Sequence, residues 1–161
     1  MTLHRPSNVD EPKMLSKIMK TLEQISNDIP IIFPIHPRTR KRLKDLKNTK
    51  YNSNLHLIDP LGYLGFLKLQ KDATLVITDS GGIQEETTFL GIPCLTIREN
   101  TERPVTVTLG TNIVIGQDME RLKDEVQLIL NGNGKKGSVV SLWDGRAGER
   151  IADIITDGSS N

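Results

Sequence analysis

The 161 residues carry 21 Lys and Arg against 20 Asp and Glu, a formal net charge of +1, with 36% hydrophobic residues, 4% aromatic ones and one cysteine. That length suits one domain with an aliphatic core and is too short for two, and the even charge calls for neither nucleic acid nor an anionic membrane as partner. Cys94 alone excludes an internal disulfide, no Cys or His cluster suggests zinc, and no apolar run approaches the roughly 20 residues of a membrane span or a signal-peptide core, so a cytosolic protein is expected.

The chain opens on Met1, Thr2 and Leu3, the tail of a strand whose beginning is expected upstream in a longer protein, followed by a loop over residues 4–8. Met14, Leu15, Ile18, Met19, Leu22 and Ile25 recur at helical spacing after Pro12 and predict an amphipathic helix. Residues 29–35 read as a strand interrupted by Pro30 and Pro34, ending in His36 and Pro37. Arg38, Arg40, Lys41, Arg42, Lys44 and Lys47 crowd the next helix; without an interleaved aromatic they read as a solvated face, not a nucleic-acid patch. Leu55–Ile58 is a further strand, and Asp59, Pro60, Leu61 and Gly62 lead into a helix ending near Gln70. A strand at 75–78, a turn at Ser80, Gly81 and Gly82, a helix to Leu90, a stop at Gly91 and Pro93, and a strand at 94–97 follow. Residues 98–104 form a charged loop, 112–115 a strand, Met119–Leu130 a helix and 131–137 a glycine-rich linker. The chain closes on Trp143, Asp144 and Gly145, a helix over 146–155 and a frayed polar tail over 157–161.

Strands and helices alternate without a hairpin signal, which means βαβ units. The expected fold is a single Rossmann-like α/β domain over 1–161, three layers with a mostly parallel sheet. Ligands of such sheets bind beyond the carboxyl ends of the strands. Those positions hold His4 and Arg5, then His36, Asp59, Ser80 with its two glycines, and Arg98 with Arg103. The turn at 80–82 hands a buried strand to a helix, so its N–H groups are free to receive an anion, and glycine lets a phosphate oxygen approach the main chain. A negatively charged ligand of the nucleoside diphosphate class is expected there. Glu86, one to two turns into the helix, suits ribose hydroxyls, whereas Glu85 lies about 100° away around the axis.

Each candidate has a plainer alternative. The glycine turn could be only a turn, His4 a loop histidine bonded to a carbonyl, and His36 a cap of the following helix. Phe66 shares helical spacing with Tyr63 and is either core or packing for a base or ribose; Arg103 either meets phosphate or is neutralised by Glu102. His56 lies inside a strand and takes no role. A dinucleotide fold would need G-x-G-x-x-G and a triphosphatase G-x-x-x-x-G-K-[ST]; neither occurs, nor does a Ser-His-Asp set.

Taken together, Thr2-Leu3-His4-Arg5 with Asn8, Phe33-Pro34-Ile35-His36-Pro37, Asp59-Pro60-Leu61 with Tyr63 and Phe66, Asp79 to Glu86, Thr101 to Pro104, and Trp143-Asp144-Gly145 resemble the non-hydrolysing UDP-N-acetylglucosamine 2-epimerases. The resemblance covers about the second half of that family's length, the nucleotide-binding domain of a GT-B fold. It implies UDP elimination across C1 and C2 of the sugar, an acetamidoglucal, and re-addition with C2 inverted. It further implies that Ser80, Gly81 and Gly82 hold the diphosphate, Glu86 the ribose, Phe66 the uracil pocket and Arg103 the phosphates. His4 is implied near the leaving group as acid or electrostatic stabiliser, with Arg5 and His36 as further candidates. The acidic residues that handle the C2 proton belong to a domain this chain lacks, so the implied partners are a UDP-sugar, that N-terminal domain or another chain supplying the carboxylates, and a second copy in a homo-oligomer; no cofactor is implied. Pro6, Ser7 and Val105 depart from the family pattern. A donor-nucleotide half of a UDP-sugar glycosyltransferase and a non-catalytic UDP-binding module share the glycine turn and ribose glutamate and stand as alternatives.

Overall fold

Proline places the starts of the early helices. The computed structural model describes residues 1–46 and 51–158, and Lys47 of the basic run lies outside them. In chain order the elements are α1 (Pro6–Val9), α2 (Pro12–Ile25), β1 (Ile31–Pro34), α3 (Pro37–Asp45), β2 (Leu55–Ile58), α4 (Tyr63–Asp72), β3 (Val76–Thr78), α5 (Gly81–Leu90), β4 (Cys94–Thr96), α6 (Pro104–Thr108), β5 (Asn112–Val114), α7 (Met119–Leu130) and α8 (Ala147–Gly158). In α1, α2, α3 and α6 a proline occupies the first turn, where its missing N–H costs nothing and its fixed φ suits the helix.

All pairings are parallel: β1 with β2, and β3 with β4 and β4 with β5. Met1 to Leu3 form the seam between the two groups. Thr2 N donates to Ile77 O at 3.0 Å and bridges Thr78, while the Met1 amino group donates to Ile32 O at 2.6 Å. The opening residues thus do occupy a strand position. On one face α2 and α7 pack together, burying Leu15, Ile18, Met19 and Leu22 with Leu122 and Val126 against Phe33, Leu95 and Ile97. α5 packs on β3, β4 and β5 with α4 and α6 beside it, giving the expected three-layer α/β/α arrangement.

The differences from expectation that exceed a residue or so lie at four places. Residues 6–9 are a helical turn, not loop, because Pro6 starts it and Asn8 turns inward, buried. Residues 104–108, expected to begin as loop, form α6. The strand expected over 29–35 begins only at Ile31, since Ile29 N still bonds Ile25 O at 3.2 Å and Pro30 has no N–H to offer. α8 runs on through Asp157 to Gly158, where a frayed tail was expected; residues 159–161 lie outside the described ones.

Two glycines let α5 sit where it does. Gly91 ends the helix with φ +72°, a left-handed cap whose N–H serves Thr87 O and Thr88 O. At Gly110 a Cβ would lie 2.3 Å from Thr88 Oγ1 and 2.6 Å from Thr106 O, so α5 and α6 approach only because that carbon is absent. No helix among the described residues is long and apolar enough to cross a membrane.

Candidate nucleotide site

Asp79 follows β3 and is wholly buried, and among the described residues no lysine or arginine nitrogen lies within 4.0 Å of it. Its carboxylate instead collects N–H donors from a segment some 75 residues away. His4 N reaches both oxygens at 3.1 Å, Arg5 N reaches Oδ2 at 2.9 Å and Asn8 Nδ2 reaches it at 3.0 Å. The same Asn8 amide donates to Ile97 O at 2.9 Å, joining the end of β4 to the knot. His4 Nδ1 lies 2.9 Å from Asp79 Oδ1, with the imidazole 50% exposed and the carboxylate 0%. One ring nitrogen is therefore fixed by a buried carboxylate, which orients the ring and leaves Nε2 for whatever enters.

Beside it, α5 opens with unfilled amides at Gly81 and Gly82, whereas the Ser80 N–H, expected to be free, donates to Thr78 Oγ1 at 3.0 Å. Ser80 is the N-cap, yet its hydroxyl caps nothing and the first turn carries no acidic side chain. By contrast Glu11, His36 and Asp118 each cap their helices with a side chain. The first N–H groups of a helix have no intrahelical acceptor, and the macrodipole favours negative charge there. A Cβ at Gly82 would meet no protein atom within 4 Å, and one at Gly81 would meet only Glu102 Oε2 at 3.7 Å and Arg103 Cγ at 3.9 Å. Neither glycine has a positive φ. Nothing in the protein's own packing or backbone asks for glycine here, although each costs the helix up to about 1 kcal/mol relative to alanine. The space they keep open lies outside the protein.

Arginines surround this turn. Arg103 Nε is 2.8 Å from Glu85 Oε1, so its ion-pair partner is Glu85 and not the neighbouring Glu102. Glu102 instead takes two hydrogen bonds from Arg98, at 2.8 and 3.2 Å, and lies 3.8 Å from Arg5 Nη2. Those Arg98 bonds, with Arg5 and Arg103 adding, hold the Glu102 carboxyl below the usual carboxylate range, and they push the Arg98 guanidinium up. Glu86 points from α5 toward α4, where Gln70 Nε2 donates to its Oε2.

A cleft of about 220 Å³ beyond the strand ends is lined by Thr2, His4, Pro34, Pro60, Leu61, Phe66, Ser80 and Ile83. It brings His4, Phe66 and Ser80 to one place. Phe66, half-buried, forms its apolar wall from α4. Glu85 and Glu86 do not line that cleft; both line a second cleft of about 480 Å³ with Tyr63, Phe89 and Trp143. His36 does not line the first cleft: its Nδ1 accepts from Arg38 N at 3.2 Å, capping α3, so of its two readings the side chain takes the plainer one. Asp59, also at a strand end, is held by Arg40 at 2.9 Å.

A family model described as UDP-N-acetylglucosamine 2-epimerase matches residues 1–156. The chain belongs to that epimerase family. It is similar to the UDP-N-acetylglucosamine 2-epimerase of Methanocaldococcus jannaschii, 45% identical over 163 residues covering 98% of this chain and 44% of the relative. It is also 36% identical to the UDP-2,3-diacetamido-2,3-dideoxy-D-glucuronate 2-epimerase of Pseudomonas aeruginosa, over 96% of this chain and 43% of the relative. Among solved structures, the M. jannaschii epimerase in complex with UDP-GlcNAc and UDP superposes with a TM-score of 0.80 at 46% identity, covering 98% of this chain and 44% of that one. The Neisseria meningitidis epimerase bound to UDP-GlcNAc gives 0.81 at 28% identity, covering 97% and 43%. The chain thus spans under half the length of these epimerases, and its fold is that of their GT-B-like structures.

Within this epimerase half, sequence reasoning assigned no role to Asp79, Asn8 or Gln84. Asp79 opens the stretch that runs to Glu86, and an acidic residue leaving the β-branched strand Val76–Thr78 was the available signal, since such a carboxylate is buried only when it is well supplied with donors. For Asn8 and Gln84 the sequence offers no comparable signal, because their partners are up to 89 residues distant.

Proposed function

We propose that this chain is the UDP-binding half, the C-terminal one, of a UDP-N-acetylglucosamine 2-epimerase, a single nucleotide-binding domain over 1–161 acting in the cytoplasm. The observation that carries the reading is the juxtaposition of an uncapped glycine turn at 80–82 with an imidazole, His4, fixed by the buried Asp79. The turn's amides take the diphosphate, Arg103 adds charge beside it, Glu86 receives the ribose hydroxyls on leaving Gln70, and Phe66 packs the uracil. Arg5 contributes positive charge from the same knot, and the cap role of His36 keeps it out of this set.

In the reaction the family implies, a base removes the C2 proton while the C1–O bond to UDP breaks, leaving an acetamidoglucal; UDP then adds back at C1 as a proton returns to the opposite face of C2. The charge that develops falls on the departing diphosphate. A helix N-terminus, Arg103 and an imidazole able to donate from Nε2 are suited to stabilising it, and as fixed dipoles they need no reorganisation at that moment. The carboxylates that exchange the C2 proton come from another domain. The relatives named above carry epimerase names, which favours epimerisation over sugar transfer for this half.

The test is C2 proton exchange of UDP-N-acetylglucosamine in D₂O, followed by NMR. The 161-residue chain alone is expected to bind UDP and give no exchange, and exchange is expected once a family N-terminal half is supplied in cis. Exchange by the chain alone, or transfer to an acceptor by the completed protein, contradicts the reading.

A further inference from the structure

Arg103 is anchored through its main chain by buried side chains. Gln84, on the first turns of α5, is fully buried, as are Thr106 and Asn112. Thr96 Oγ1 donates to Asn112 Oδ1 at 2.6 Å, and the Asn112 amide donates to Gln84 Oε1 at 3.2 Å and to Thr106 Oγ1 at 3.1 Å. The Thr106 hydroxyl then donates to Arg103 O at 2.7 Å. On the other side Arg103 N donates to Thr101 Oγ1 at 2.9 Å, and the Thr101 hydroxyl donates back to Gln84 Oε1. The bonds close a ring: Gln84, Thr101, the main chain of Arg103, Thr106, Asn112 and Gln84 again. Each hydroxyl in it both donates and accepts within the ring.

We propose that Gln84 is a positioning residue whose buried carbonyl, through Thr101 and Asn112, clamps the main chain of Arg103 against the helix that carries the glycine turn. What Gln84 supplies is an acceptor: Oε1 takes both bonds, while Nε2 is buried without a partner among the described residues. Arg103 has backbone angles of φ −124° and ψ 62°, outside the regular regions, at the end of the charged loop. The clamp fixes that conformation and sets the distance between the guanidinium and the amides at 81 and 82, two groups that must converge on one diphosphate. Buried networks of this kind, with members satisfied in a fixed direction, hold one geometry where a single exposed bond would not.

This inference rests on the reading of the site as a diphosphate site, and its test separates the two. Thr101→Val removes the relay hydroxyl, Thr101→Ser keeps it, and Gln84→Leu removes the acceptor at nearly constant volume. The readout is the ratio of UDP to uridine affinity by NMR titration, because a variant that is only less stable weakens both ligands alike. Thr101→Val and Gln84→Leu are expected to lower UDP affinity about tenfold with uridine changed less than about twofold, and Thr101→Ser to restore the ratio. A ratio unchanged in both variants overturns the proposal. If the unmodified chain prefers neither ligand, the diphosphate reading fails instead. The clamp is then still tested by hydrogen exchange: the Arg103 amide is expected to exchange at least about tenfold faster in Thr101→Val than in Thr101→Ser, and equal rates overturn it.

Discussion

Asp79 shows how one buried side chain can organise the segments around it. Its buried carboxylate is held by N–H groups of His4, Arg5 and Asn8. In Asp79→Asn the new amide would turn a donor toward those donors. Hydrogen bonds to a buried charge are each worth about 1.5–3 kcal/mol, so Asp79→Asn should cost at least about 3 kcal/mol in urea denaturation and release the His4 ring. Cys94 makes a contrasting case. It is buried in β4, and burial pushes its thiol up to about 11 from an ordinary 9.0 despite hydrogen bonds from Thr87 and Thr96. A thiol reagent at pH 8 should leave the folded chain unlabelled and label it fully in denaturant. The folded pKa is raised, so the thiol's contribution is complete below about 9 and lost as pH rises through about 11. Stability between those values should fall more steeply for the unmodified chain than for Cys94→Ala.

At the scale of elements, α5 trades helix stability for an open N-terminus. Gly82 sits in the first turn with no protein atom within 4 Å of a would-be Cβ. Gly82→Ala should therefore raise the thermal midpoint, by up to about 1 kcal/mol in free energy, and weaken UDP binding. A gain in both would argue that nothing approaches that backbone. The long amphipathic helices and apolar strands were legible in the sequence because periodicity sums over many residues, as in α2 and α7. α1 was not, since four residues carry no period. α6 was not either: Val105, Thr106, Val107 and Thr108 are β-branched, which lowers helix propensity. The helix starts at Pro104, and the Thr106 and Thr108 hydroxyls bond back to Arg103 O and Pro104 O. The glycine turn and the strand-end histidine could be read because they obey local and topological rules. The pairing of Arg103 with Glu85, and the ring through Gln84, depend on side chains brought together only by packing.

For the whole molecule, the strand ends of β1, β2 and β3 and the seam at residues 1–3 converge on one cleft that His4, Phe66 and Ser80 share. The chain spans about 44% of its M. jannaschii relative. Ligand binding and turnover should accordingly separate: UDP affinity belongs to this chain, and C2 proton exchange to the completed two-domain enzyme. His4→Ala in the completed enzyme should lower turnover by about 10²- to 10⁴-fold with a smaller change in UDP affinity, as steady-state kinetics beside a binding titration would show. The most direct test of the central claim, that the amides of Gly81 and Gly82 grip a diphosphate, is calorimetry of the 161-residue chain with UDP and with uridine. UDP should bind with favourable heat and markedly tighter than uridine, the preference collapsing in Gly82→Ala. No heat with UDP at millimolar concentration, or equal affinity for the two ligands, would contradict it.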